Sequence, residues 1–176
     1  MHIIKLLIAV LLLQSAPLVA AELHESKTVI LVRHAEKDSQ RPDPGLTAIG
    51  QQRAIALMST LERTPLSLAI TTQFRRTQET LAPLISARSL NHVSVTASKN
   101  IDEHIQEISQ LVSGAKGNVI IAGHSNTVPL IIAALGGPTL ANLSEDEYDK
   151  LFILTLPNEG TLSIVITQYG LSSGNE

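Results

Sequence analysis

The sequence predicts an α/β fold, a three-layer α/β/α sandwich with a mostly parallel central sheet and an antiparallel C-terminal edge hairpin. Three observations predict it. Short, β-branched apolar runs alternate with segments of helical spacing. Glycine, proline and small polar residues punctuate the boundaries. The last two apolar runs follow one another with only Pro157-Asn158-Glu159-Gly160 between them, a connection too short for a parallel crossover. The chain has 176 residues, enough for one ordinary domain. It is 44% hydrophobic and 16% charged, so it should bury a core, and with 2% aromatic residues that core must be aliphatic.

The first 21 residues read as a signal peptide and residues 22–176 as the domain. Lys5 precedes an unbroken apolar run from Leu6 to Leu13, Pro17 follows, and Val19-Ala20-Ala21 offers small residues for cleavage. The run is well short of the roughly 20 residues that span a bilayer. The protein is therefore expected to be periplasmic or secreted, with no stable membrane span after cleavage. With no cysteine, it has neither a disulfide framework nor thiol chemistry.

The elements follow in order. Thr28 to Val32 is wholly apolar after its first residue, as in a strand covered on both faces. A polar loop runs from Lys37 to Gly45. Thr47 stands where a helix N-cap belongs, and Ile49, Ala54, Ile55, Leu57, Met58 and Leu61 follow at helical spacing, with Pro65 as the expected end. Leu66 to Thr71 is a second strand. Arg75 to Ala87 is helical, with a kink or early stop expected at Pro83. Val93 to Thr96 is a third strand. Ile101, Ile105, Ile108, Leu111 and Val112 give a helix with one apolar face. Val119 to Ala122 is a strand ended by Gly123, and Val128 to Leu135 a buried helix closed by Gly136-Gly137-Pro138. Glu145 to Asp149 reads as an acidic, exposed stretch. Leu151 to Leu156 and Leu162 to Ile166 form the hairpin.

In a sheet of this kind ligands gather at the carboxyl ends of the strands. Three segments lie there: Leu31 to Lys37, Thr72 to Thr80, and Ala122 to Asn126. They bring His34, His124, Arg33, Arg75 and Arg76 to one end. Such a cup suits a phosphate dianion, because guanidinium forks and helix N-termini donate to its oxygens. Neighbouring positive charge should keep His34 neutral near pH 7. A neutral imidazole can attack phosphorus if its other nitrogen donates to a backbone carbonyl.

These segments resemble the histidine phosphatase superfamily, also called the phosphoglycerate-mutase-like family. Its Arg-His-Gly/Ala motif is matched by Arg33-His34-Ala35. Its Leu-Thr-x-x-Gly-x-x-Gln/Arg-Ala segment is similar to Leu46 through Ala54. Its Ser/Thr-x-x-x-Arg-x-x-x-Thr segment resembles Thr72 through Thr80, and its second histidine falls on His124. The resemblance implies that His34 is the nucleophile and that Arg33, Arg76 and His124 bind phosphate. Arg75 competes with Arg76, but the four-residue spacing to Thr80 favours Arg76. The resemblance also implies an acid that protonates the leaving oxygen. One branch places Asp after the second histidine, where this chain has Ser125. Three candidates stand: Glu36, Asp102 and Glu103. Without an acid, phosphohistidine and acyl phosphates would be the better substrates.

The expected function is an exported, metal-independent phosphatase hydrolysing phosphomonoesters through a phosphohistidine on His34. It would use no cofactor, since no cluster has metal-ligand spacing. The expected partner is a small phosphorylated substrate or a phosphorylated sugar or glycolipid. The size and export signal resemble small phosphohistidine phosphatases and periplasmic lipopolysaccharide-core heptose phosphatases. A formal charge of −3 with no basic run excludes nucleic acid. The alternative is a non-catalytic phosphate- or phosphosugar-binding module on the same fold. Asn126 and Thr127 are read as helix-capping, and His2, His24, His92 and His104 as incidental.

Overall fold

A computed structural model of the chain describes residues 26–38, 42–98 and 100–173. The expected signal segment, 1–21, lies outside the described residues. Ten elements follow in order: β1 (Lys27–Arg33), α1 (Ala48–Thr60), β2 (Leu68–Thr72), α2 (Arg75–Arg88), β3 (Asn91–Val95), α3 (Ile101–Gly114), β4 (Val119–Gly123), α4 (Thr127–Ala134), β5 (Lys150–Leu156) and β6 (Ser163–Gln168). The strands form one sheet in the order β3-β2-β4-β1-β5-β6. The first four are mutually parallel, and the β5–β6 hairpin adds antiparallel to β1. This is the predicted mixed α/β architecture. Among the described residues, no helix is long and apolar enough to cross a membrane.

Strand alternation divides the core in two. Val29 and Leu31 of β1 and Val119 and Ile121 of β4 point to one face, where Ile105, Ile108 and Val112 of α3 and Val128, Ile131 and Ile132 of α4 cover them. Ile30, Val32, Ile120 and Ala122 point to the other, against Leu57 of α1 and Leu81 and Leu84 of α2. The chain moves from β1 over β4's place to β2 and on to β3, then returns to β4. Crossovers of constant hand must change faces when they reverse direction, and α3 does. The crevice at the carboxyl ends of β1 and β4 is therefore a switch point, with α1 leaving on one side and α4 on the other.

Local chemistry fixes the boundaries. The Thr47 hydroxyl accepts the Gly50 amide at 3.1 Å and caps α1 as expected. That helix ends at Thr60, before Pro65; a turn whose Thr64 amide bonds the Leu61 carbonyl intervenes. Pro83 does not end α2, which runs on to Arg88. Burial of Leu81 and Leu84 on either side of the proline holds the helix through the missing donor. The stretch 145–149 is not uniformly exposed. Asp149 is buried, and its Oδ2 accepts from Gln168 Nε2 at 2.9 Å and from the Ser173 amide at 3.0 Å.

Candidate active site

The register places Arg33 opposite Gly123, so the next residue of each strand, His34 and His124, leaves the sheet at the same level. The His34 amide donates to the Gly123 carbonyl at 2.9 Å. The two rings meet edge to face, with centroids 5.4 Å apart. Both line a cleft of about 340 Å³, joined by Arg33, Arg76, Lys37 and Glu145 as its charged members. The candidates far apart in the chain thus share one hollow.

Helix α2 builds one side of it. Thr77 ties the end of β2 to the first turn of the helix: its hydroxyl accepts the Thr72 amide at 3.1 Å and donates to the Phe74 carbonyl at 2.9 Å. Thr72 Oγ1 lies 3.3 Å from His124 Nε2. In the first turn of α2, Arg76 reaches into the cleft, and its Nη2 stands 3.5 Å from His124 Nδ1. Another turn on, Thr80 Oγ1 accepts the Ala35 amide at 2.9 Å and donates to the Arg76 carbonyl at 2.6 Å. The spacing Thr72, Arg76, Thr80 therefore sets the end of β2 on the second histidine and two successive turns of α2 on the cleft and the nucleophile loop. Arg75 points elsewhere: it is half exposed and paired with Glu79 at 2.8 Å.

The segment from Leu46 to Ala54 grips the other side of that loop. The Thr47 amide donates to the Glu36 carbonyl at 2.9 Å. A side chain at Gly50 would place Cβ 2.3 Å from the same carbonyl oxygen, so only glycine lets α1 approach this closely. Arg53 takes Glu36 in a bidentate pair at 2.7–3.0 Å and donates its remaining nitrogen to the carbonyls of Tyr169 and Leu171.

Protonation states follow from the contacts. His34 Nδ1 lies 2.8 Å from the Ala35 carbonyl oxygen, which can only accept, so Nδ1 carries the proton and Nε2 a lone pair. Burial lowers the His34 pKa to about 3; the Ala35 bond opposes the shift, and His124, Arg76 and Arg33 add to it. Burial also lowers His124 to about 4, helped by Arg76, His104 and Arg33. Desolvation, more than the neighbouring charge expected from the sequence, keeps the rings neutral. An arginine can only donate, so His124 Nδ1 holds its lone pair toward Arg76 and Nε2–H points to Thr72.

These shifts make stability depend on pH. Both rings titrate near 6.5 when unfolded and near 3 to 4 when folded. Between those values the unfolded chain binds more protons, so the histidine contribution to stability falls as pH drops from about 6.5 toward about 4. We expect the urea midpoint to be lower at pH 5 than at pH 7, and the difference to shrink in a His34→Asn/His124→Asn double variant. An unchanged difference in that variant would remove these rings as its cause.

Several expectations need correction. Arg33 does not present an open fork. Its Nη1 donates to the carbonyls of Ser144 (2.6 Å), Glu145 (2.9 Å) and Glu147 (3.4 Å), and its Nη2 to Glu145 Oε2 at 3.1 Å and Tyr148 Oη at 3.4 Å. Arg76 is the more available guanidinium, braced by the Phe74 ring 4.2 Å below it. Glu36 is no free acid, because Arg53 holds both its oxygens. Asp102 and Glu103 stand exposed in the first turn of α3, while Ile101 and His104 on either side of them line the cleft.

His104 is therefore not incidental. It is buried in the cleft wall, with Nδ1 donating to the Thr96 carbonyl at 3.1 Å. Its place was readable: residue 104 falls on the same face of α3 as Ile101 and Ile108. His92 does lie apart, bonded to Thr71 at 2.8 Å, and His2 and His24 fall outside the described residues. The Thr127 hydroxyl accepts the His124 amide at 2.9 Å, whereas Asn126 makes no side-chain cap. Tyr148, passed over in the sequence, packs its ring 6.2 Å from His34 and 4.2 Å from the Arg33 guanidinium.

Fold and cleft together define a class: an α/β protein that gathers neutral histidines and arginines around one oxyanion-sized hollow at its strand ends. The model of the histidine phosphatase superfamily (branch 1) matches residues 29–110, a span that includes His34, Arg53, Arg76 and Thr80. That match assigns residues 29–110 to the histidine phosphatase superfamily. Among solved structures it is similar to the protein histidine phosphatase SixA complexed with tungstate, at a TM-score of 0.62 and 15% identity over 80% of this chain and 96% of that one. It is also similar to mycobacterial glucosyl-3-phosphoglycerate phosphatase, at 0.59 and 12% over 83% and 100%. Bacillus stearothermophilus YhfR gives 0.61 and 17% over 80% and 96%. At these identities the likeness is one of fold. No curated protein matches the sequence.

Proposed function

We propose that this protein is a metal-independent phosphomonoesterase that works through a phosphohistidine on His34, and that it acts outside the cytoplasm. One observation carries the catalytic reading: the Nδ1 proton of His34 is committed to the Ala35 carbonyl at 2.8 Å, which leaves Nε2 as an unprotonated nucleophile in the cleft shared with Arg76 and His124. The amino-terminal charge, apolar run and small residues support export. The tungstate bound by SixA, a tetrahedral oxyanion, supports phosphate as the group held in the cleft, and the mycobacterial glucosyl-3-phosphoglycerate phosphatase supports a phosphorylated small molecule as substrate.

The geometry supports a two-step reaction. Arg76, with Lys37 at the rim, draws the phosphate dianion into the cleft, and the amide end of α4 opens on the same space. His34 Nε2 attacks phosphorus in line with the ester oxygen, which leaves with its electron pair. Charge spread over the equatorial oxygens is met by Arg76, by whatever donor Arg33 releases from its loop, and by His124 where its Nε2–H leaves Thr72 for phosphate. Water then attacks the N–P bond, returning His34 to its starting tautomer and releasing phosphate. Positive charge comes here from the Arg76 guanidinium and Lys37, so we expect EDTA to leave the rate unchanged.

Trapping tests the reading. The mature protein, mixed with a radiolabelled phosphomonoester and quenched, should carry an acid-labile, base-stable label that maps to His34. Phosphate binding without label or turnover would reject the enzyme and leave a binding module.

A further inference from the structure

We infer that Glu145 is the proton donor to the leaving oxygen, and hence that the substrates are phosphate esters of aliphatic alcohols; this rests on the phosphatase reading above. Glu145 is the only carboxylate in the wall of the cleft, among the described residues. Each other acidic candidate is spoken for or turned away. Glu36 is clamped by Arg53, and Asp102 and Glu103 stand on the outer side of α3. Asp43 is not part of the cleft wall; it accepts the Arg75 amide at 3.2 Å and lies 3.9 Å from Arg76, whose charge holds it.

The backbone that carries Glu145 is fixed, while its carboxyl stands exposed with Arg33 as its partner. Arg33 holds the carbonyls of Ser144, Glu145 and Glu147. The Leu143 amide donates to the Ser125 carbonyl at 3.0 Å, the Ser144 amide donates to Glu147 Oε2 at 2.8 Å, and Lys150 pairs with Glu147. The loop is thus bound on one side to the nucleophile strand and on the other to the segment after His124. From it, the Glu145 side chain, 86% exposed, reaches back to Arg33, which is 2% exposed, at 3.1 Å. An exposed carboxyl on an anchored backbone at the rim is placed to follow the part of the substrate that departs toward solvent.

The chemistry asks for such a group. An aliphatic alkoxide is far too basic to leave without a proton, whereas an acyl phosphate or a nitrophenolate leaves without one. When a phosphate dianion takes the Arg33 contact, Glu145 loses that ion-pair partner and its carboxyl is released to carry the proton the ester oxygen needs. A proton is then taken up with the ester. As the O–P bond breaks and the Nε2–P bond forms, that proton passes to the ester oxygen and an alcohol departs. Glu145, now a carboxylate, takes a proton from the water that attacks phosphohistidine. The sum is ester plus water giving alcohol plus phosphate.

The test is leaving-group dependence. Glu145→Gln keeps the size of the side chain and an oxygen for Arg33, but cannot donate an acidic proton. With β-glycerophosphate as the alkyl ester, kcat/KM should fall by about 10²- to 10⁴-fold. With 2,4-dinitrophenyl phosphate it should change by no more than about threefold, because this leaving group needs no acid. Equal losses on both esters would assign Glu145 a structural role through Arg33 and overturn the inference, as would no loss on either. Failure of the wild-type protein to turn over even the dinitrophenyl ester, with no label on His34, would instead strike the phosphatase reading itself.

Discussion

Replacing His34 with asparagine is expected to abolish turnover and leave the fold in place. The asparagine amide can still donate to the Ala35 carbonyl, which His34 Nδ1 meets at 2.8 Å, so the loop keeps its local bond. What disappears is the lone pair on Nε2. Without a nucleophile the covalent path closes, and only water held in the Arg76 cup could attack. A loss of at least about 10³-fold in kcat/KM, on the order of 4 kcal/mol of transition-state stabilisation, is the expected scale. Steady-state kinetics reads the loss, and a thermal melt by circular dichroism checks that the variant is folded. A variant that keeps more than a tenth of wild-type activity would place the phosphoryl group on some other residue.

The second large effect falls on stability. Arg53 and Glu36 are both largely buried, at 3% and 15% side-chain exposure, and meet at 2.7 Å. Arg53→Leu would leave a carboxylate without its partner and the carbonyls of Tyr169 and Leu171 without their donor. Breaking a buried pair from one side costs about 3–5 kcal/mol. The urea midpoint should shift to match. Removing both partners together, Arg53→Leu with Glu36→Leu, should recover part of that loss, because no unpaired charge remains. A double variant as unstable as the single one would show that the penalty comes from packing and not from the stranded charge. The pair also grips the residue two places after His34, so the single variant should lose activity below its melting range.

Much of this molecule is written locally, and that part was legible. Alternating apolar runs gave the sheet, and the Thr47 cap and the face of α3 followed from side-chain chemistry and helical spacing. Arg76 could be preferred to Arg75 because Thr80 lies one turn further along the same helix. The structure supplies the reason: Thr80 holds Ala35, and Arg75 turns away to Glu79. What stayed hidden depends on contacts across long separations. The bond from Arg33 to the Ser144 carbonyl joins residues 111 apart, and no spacing rule predicts it. For the same reason Glu145 read as one more solvated acid and Tyr148 drew no notice. Asp102 and Glu103 follow the third strand, where the resemblance calls for an acid, but helical phase turns them outward.

One hydroxyl, that of Thr80, grips both the loop after His34 and the turn that carries Arg76. Attacking atom and anion anchor are thereby fastened to the same rigid rod. If α2 slides as the protein breathes, the two travel as a unit, and the gap that the transferred group must cross keeps its width.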